Sequence, residues 1–141
     1  MVRKFIRASL FAALGAVAIA VAYGSAATAG QKDEKVPDIS EIMIKGHKGT
    51  DAYLAKIKGT AKAGNWDDAE KYAKTLAFFG ENLGKNKPPK GDAKSWEKLT
   101  QAYASSTKAV HKGTQDKDVK AVNKGLGAIG MSCGGCHKAH K

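Results

Sequence analysis

From Ile39 onward, apolar residues return every three or four positions in four stretches, and strand-like runs of β-branched residues are scarce. That spacing predicts helices, each with one apolar stripe. The first stretch, residues 39–61, carries Ile39, Ile42, Met43, Tyr53, Leu54, Ile57 and Ala61. His47 falls in the same stripe, and Asp38 or Ser40 can cap the start after Pro37. The second, residues 66–83, carries Trp66, Ala69, Tyr72, Ala73, Leu76, Phe79 and Leu83. It ends at Gly84, and Pro88-Pro89 prevents its continuation. The third begins at Ala93 behind the cap Asp92, carries Trp96, Leu99, Tyr103 and Val110, and is expected to end at Gly113. The fourth begins at Asp116 or Asp118 and presents Val119, Val122, Leu126, Ile129, Cys133, His137 and His140 on one side. Four such helices with short connections predict an all-α, up-down four-helix bundle.

The residues before this region read differently. Arg3, Lys4 and Arg7 precede an uncharged apolar run that ends in Ala27-Thr28-Ala29. That order predicts an export signal over residues 1–29, cleaved after Ala29, with one domain over residues 30–141. A retained membrane anchor is the alternative; cleavage leaves no stable membrane insertion. Three of the 24 basic residues lie in the signal and none of the 13 acidic ones, so the net charge falls by three, from +11 to +8. The lysines are spread evenly and no nucleic-acid-reading motif accompanies them, so nucleic acid is not the expected partner. A basic surface instead suits proteins with acidic docking faces.

Both cysteines of the chain stand in Cys133-Gly134-Gly135-Cys136-His137. The spacing C-x-x-C-H is that of covalent c-type haem attachment. Two thiols three residues apart can reach two vinyl groups of one porphyrin, and the next residue brings an imidazole to the iron. Cys133 and Cys136 are thus the expected thioether residues of one haem c, and His137 its proximal iron ligand. Three other readings use the same residues. They are a redox dithiol, a zinc site of Cys133, Cys136, His137 and His140, and a structural disulfide. A dithiol motif normally opens a helix in a βαβ unit, which nothing here predicts. Adjacent Cys136 and His137 diverge on a helix, which hinders a tetrahedral metal site.

With the motif near its end and four predicted helices, the chain resembles the class II c-type cytochromes, which comprise cytochrome c′ and its low-spin relatives. The resemblance implies a bundle with haem on the C-terminal helix and a periplasmic or otherwise exported location. The family places a basic residue close to the proximal histidine; Lys141 corresponds to it here. The stretch "AYLAKIKG", Ala52–Gly59, resembles the family's first helix beyond its distal residue, and counting back puts that residue at His47. Met43 then stands where the family often has an arginine near a propionate, with Lys45 and Lys48 as substitutes. The resemblance also allows a homodimer.

The sixth position on iron has three candidate answers. His47 lies in the apolar stripe at the distal position, beside Gly46 and Gly49, which leave room for a macrocycle. Met43, one turn earlier, offers a thioether. An open iron, with His47 as a hydrogen-bond donor or bystander, is the third. His140 is expected to pack near the haem edge, and His111 to lie on the surface near a helix C-terminus. Trp66, Trp96, Tyr72, Tyr103, Phe78 and Phe79 read as core. No constellation for substrate turnover is apparent, so an enzyme is not expected. The expected function is one-electron transfer, with cytochrome c′-like binding of nitric oxide or carbon monoxide as the alternative.

Overall fold

A computed structural model describes residues 35–141. The expected export signal over residues 1–29 lies outside the described residues. Five helices follow one another: α1 (Ile39–His47), α2 (Tyr53–Lys62), α3 (Trp66–Leu83), α4 (Ala93–Gln115) and α5 (Val119–His140). The fold is all-α, and there is no strand among the described residues. None of the described helices is long and apolar enough to cross a membrane.

Local chemistry sets most boundaries. Asp38, Asn65, Asp92 and Asp118 accept hydrogen bonds from backbone N–H groups in the first turns of α1, α3, α4 and α5. The end of α2 is a paired closure: Asn65 N–H donates to Thr60 O and Gly64 N–H to Ala61 O, with Gly64 at φ +75°. The end of α4 repeats it. Asp118 N–H donates to Gly113 O and Lys117 N–H to Thr114 O, with Lys117 at φ 54° where glycine is usual.

Two expectations need correcting here. The predicted first helix is two helices, because Gly49 turns to φ +83° and Lys48–Ala52 leave the helical path. The third does not end at Gly113. It runs on to Gln115, and Gly113 is buried inside it against α5.

Packing explains that glycine and three others. A Cβ on Gly113 would stand 2.9 Å from Val122 N and 3.2 Å from its Cγ2, and one on Gly125 would stand 2.6 Å from Val110 Cγ2. Each helix thus offers a glycine to the other's valine. On an adjacent face of α4, Thr107 fills the space at Gly80, and Thr100 lies over Gly84 at the end of α3. Both threonine hydroxyls donate back to carbonyls of their own helix, so the close approach buries no unpaired hydroxyl.

In consequence α4 packs along most of its length against both α3 and α5, while α2 packs against α3 and touches α5. These four neighbours form a closed ring. Ile57, Leu76, Leu83, Val110, Val122 and Ile129 are fully buried within it. Each contributes on the order of 1.5–3 kcal/mol through removal from water. The short α1 lies against α2 and α3 and inserts Ile42, also fully buried.

The glycines divide into two classes that mutation separates. Gly80→Ala forces a methyl against Thr107 and the Ala104 backbone and is expected to cost about 1–3 kcal/mol. Gly127 meets nothing within 4 Å, so Gly127→Ala is expected to stabilise by about 0.4–1 kcal/mol. Denaturant unfolding of the two variants checks both signs.

Candidate functional site

The last three turns of α5 carry Cys133, Cys136 and His137 at i, i+3 and i+4, the spacing that places side chains on one helix face. All three line one cavity of about 300 Å³. Its opposite wall is α1, with Met43, Ile44, His47 and Lys48, and α4 supplies Leu99 and Tyr103. A second cavity of about 430 Å³ adjoins it. The two share Met43, Ile44, Cys136, His137 and Lys141, and the second continues to Trp96 and His140. Every residue singled out from sequence as a thioether site or an iron ligand therefore borders one trough between α1 and α5.

The four histidines have different surroundings. His140 is buried, with Nδ1 2.9 Å from Lys90 O and Nε2 3.2 Å from Ser95 Oγ. A carbonyl can only accept, so Nδ1 carries the proton and Nε2 accepts from Ser95. Its ring also meets Trp96 edge-on at 5.2 Å. Both nitrogens are thereby committed, which removes His140 from a metal site. His111 is half-buried with Nε2 3.8 Å from Glu70, and α4 continues four residues past it. It lies near the C-terminus of α4 as expected, but part-buried rather than fully on the surface. His47 is partly buried, with Nε2 2.7 Å from Tyr103 Oη. His137 is exposed on the trough wall, and no other described residue holds its ring.

Electrostatics follow from burial. The His47 imidazole is pushed below its ordinary pKa by burial, and His137 nearby adds to the effect. Burial pushes the Tyr103 hydroxyl well above the usual phenol range, with a further push from Cys133. It pushes the Cys136 thiol up as well, again with a contribution from Cys133. An activated dithiol needs the opposite, a lowered thiol pKa, and gains it at a helix N-terminus. Here the pair sits toward the C-terminal end of α5, not at a helix N-terminus. Cys133 Sγ instead donates to Ile129 O at 3.3 Å.

Two further expectations change. Gly46 does not leave room for a macrocycle; it is buried, and a Cβ there would stand 3.6–4.0 Å from Leu76, Phe79 and Tyr103. Gly49 serves the break after α1. Of the two lysines considered as propionate partners, Lys48 borders the trough, whereas Lys45 is paired with Glu41 at 2.6 Å.

Sequence reading missed the contact that ties the end of α5 down. Gly91, at φ +88°, lets the loop pass so close that a Cβ would meet Ala139 O at 2.5 Å and His140 Nδ1 at 2.7 Å. Asn86 extends the same junction. Its Nδ2 donates to Pro37 O at 3.1 Å, and its carbonyl accepts from Trp96 Nε1 at 2.8 Å. Tyr103 and Leu99 were legible only as core; their spacing of four marks one helix face but not what that face borders.

No family model, curated protein or solved structure matches the chain in comparison.

The junction is testable by stability. Gly91→Ala combines an unfavourable φ with two short contacts and should cost about 2 kcal/mol or more. His140→Ala leaves Lys90 O and Ser95 Oγ without their partner and should cost about 1–3 kcal/mol. Thermal unfolding of the two variants against the parent measures this.

Proposed function

We propose that this chain is an exported monohaem c-type cytochrome of the class II kind, working in one-electron transfer in the periplasm. The observation that carries the reading is the convergence of Cys133, Cys136 and His137 on one trough, with His47 and Met43 on its facing wall. The ring of α2, α3, α4 and α5 supports an up-down four-helix bundle, to which α1 adds a separate segment.

The residues present fit a covalently held haem. Cys133 and Cys136 stand on one helix face, so a single rigid segment can grip one ring at two points. His137 leaves its imidazole free toward the same space. Largely apolar walls, Ile44, Met43 and Leu99, would lie against a bound ring, exclude water from it and keep the dielectric low. Lys48 and Lys141 border the trough with positive charge suited to carboxylates. When bound, haem supplies an iron that cycles between ferrous and ferric states. His137 on α5 and His47 on the facing wall would be the residues that hold the iron, and both are placed by the fold so that little would rearrange when the charge changes. Two imidazoles give a lower potential than His/Met ligation. The net charge of +8 left after removal of the signal steers acidic redox partners, at rates that fall as salt rises. No substrate-transforming role is proposed.

A second reading is favoured by one observation. His47 Nε2 is already engaged by Tyr103 at 2.7 Å. Left in that bond, His47 does not bind iron, and the trough has an open side for nitric oxide or carbon monoxide.

Visible and EPR spectra of the haem-loaded exported protein decide between the readings. Electron transfer with His47 ligation predicts low-spin spectra without a methionine-to-iron charge-transfer band, turning high-spin in His47→Ala. A low-spin spectrum unchanged in His47→Ala assigns the position to Met43. High-spin spectra that respond to carbon monoxide establish the gas-binding reading. Failure of the thiols to acquire haem in an export host with haem-attachment machinery refutes both.

A further inference from the structure

Tyr103 is 6% exposed, and its ring belongs to the core. Its hydroxyl has one hydrogen-bond partner among the described residues, His47 Nε2. A neutral phenol carries one proton and a neutral imidazole carries one, so the 2.7 Å contact has two possible arrangements. If Nε2–H donates to Oη, the phenol hydrogen has no acceptor among the described residues. If the phenol donates to Nε2, the hydroxyl is satisfied, and the imidazole hydrogen sits on Nδ1. Buried polar groups take the satisfied arrangement. His47 then holds its Nε2 lone pair toward Tyr103, the same lone pair a metal would use.

From this we infer that Tyr103 is a positioning residue that competes with iron for His47 Nε2. The inference rests on the haem reading above. With haem bound, His47 would then be an exchangeable ligand, its Nε2 shared between the iron and the Tyr103 hydroxyl, and an external ligand on the iron would leave it with the tyrosine. The two sides sit on different helices, His47 at the end of α1 and Tyr103 in mid-α4, both bordering the cavity that holds Cys133 and His137. The exchange therefore needs no change in α5. One bond of this kind is worth about 1 kcal/mol net, which corresponds to roughly a five- to tenfold effect on the ligand equilibrium.

The test is Tyr103→Phe in the haem-loaded protein, beside His47→Ala and the parent. Phenylalanine keeps the ring in the core and removes only the competing hydroxyl. The low-spin to high-spin ratio by EPR and the dissociation constant for carbon monoxide are the readouts. Loss of packing alone would lower the unfolding temperature without moving either in the direction expected here. The inference expects Tyr103→Phe to raise the low-spin ratio and to weaken carbon monoxide binding roughly five- to tenfold. It expects His47→Ala to abolish the effect of the second substitution in the double variant. Unchanged readouts in Tyr103→Phe, with His47→Ala still turning the iron high-spin, overturn the inference and leave His47 ligation standing. A fall in the low-spin ratio overturns it too, since Tyr103 would then hold His47 toward iron. If His47→Ala changes nothing, His47 ligation fails and the inference with it.

Discussion

The reciprocal fit of Gly113 to Val122 and Gly125 to Val110 fixes how α5 lies on α4. A side chain larger than hydrogen at either glycine would push the helices apart, and a slip along the axis would bring valine onto valine. Register is thereby set over the first half of α5. Its rigid continuation then determines which face Cys133, Cys136 and His137 present. The same α4 receives α3 through Gly80 and Gly84 on an adjacent face. One helix therefore aligns both neighbours, and the trough takes its shape from that alignment.

The two ends of α5 are held by different physics. Near its start the fit is steric and apolar. At its end the hold is polar: His140 bonds to Lys90 and Ser95, and Trp96 closes over its ring. Between these anchors Gly127, Gly130, Gly134 and Gly135 meet nothing within 4 Å. The stretch with the cysteines is thus fixed from both sides while staying open along its outer face.

What the sequence discloses here is periodic or local. The α3 and α5 starts, the caps Asp38 and Asp92, and the stripe from Trp66 to Leu83 all follow from spacing and capping chemistry. The motif at Cys133–His137 was legible because its spacing alone carries chemistry. The break after His47 was not read, though Gly46, Gly49, Thr50 and Asp51 crowd there as turn residues do. Apolar periodicity simply resumed in phase beyond it. Glycine at Gly113 was misread because the residue that stops a helix is also the one that lets two helices touch, and only the partner distinguishes them. The His47–Tyr103 bond spans 56 positions of sequence and depends on packing that no local pattern encodes.

The break at Gly49 makes the two walls of the trough unequal. The α5 wall is 22 residues long and shares the main core through Val122, Leu126 and Ile129. The α1 wall is nine residues, too short to persist alone, and its buried anchors are Ile42 and Gly46. Its detachment disrupts few core contacts and leaves the ring of α2 to α5 in place. The trough is therefore walled on one side by a helix built into the main core and on the other by a short segment whose attachment is local.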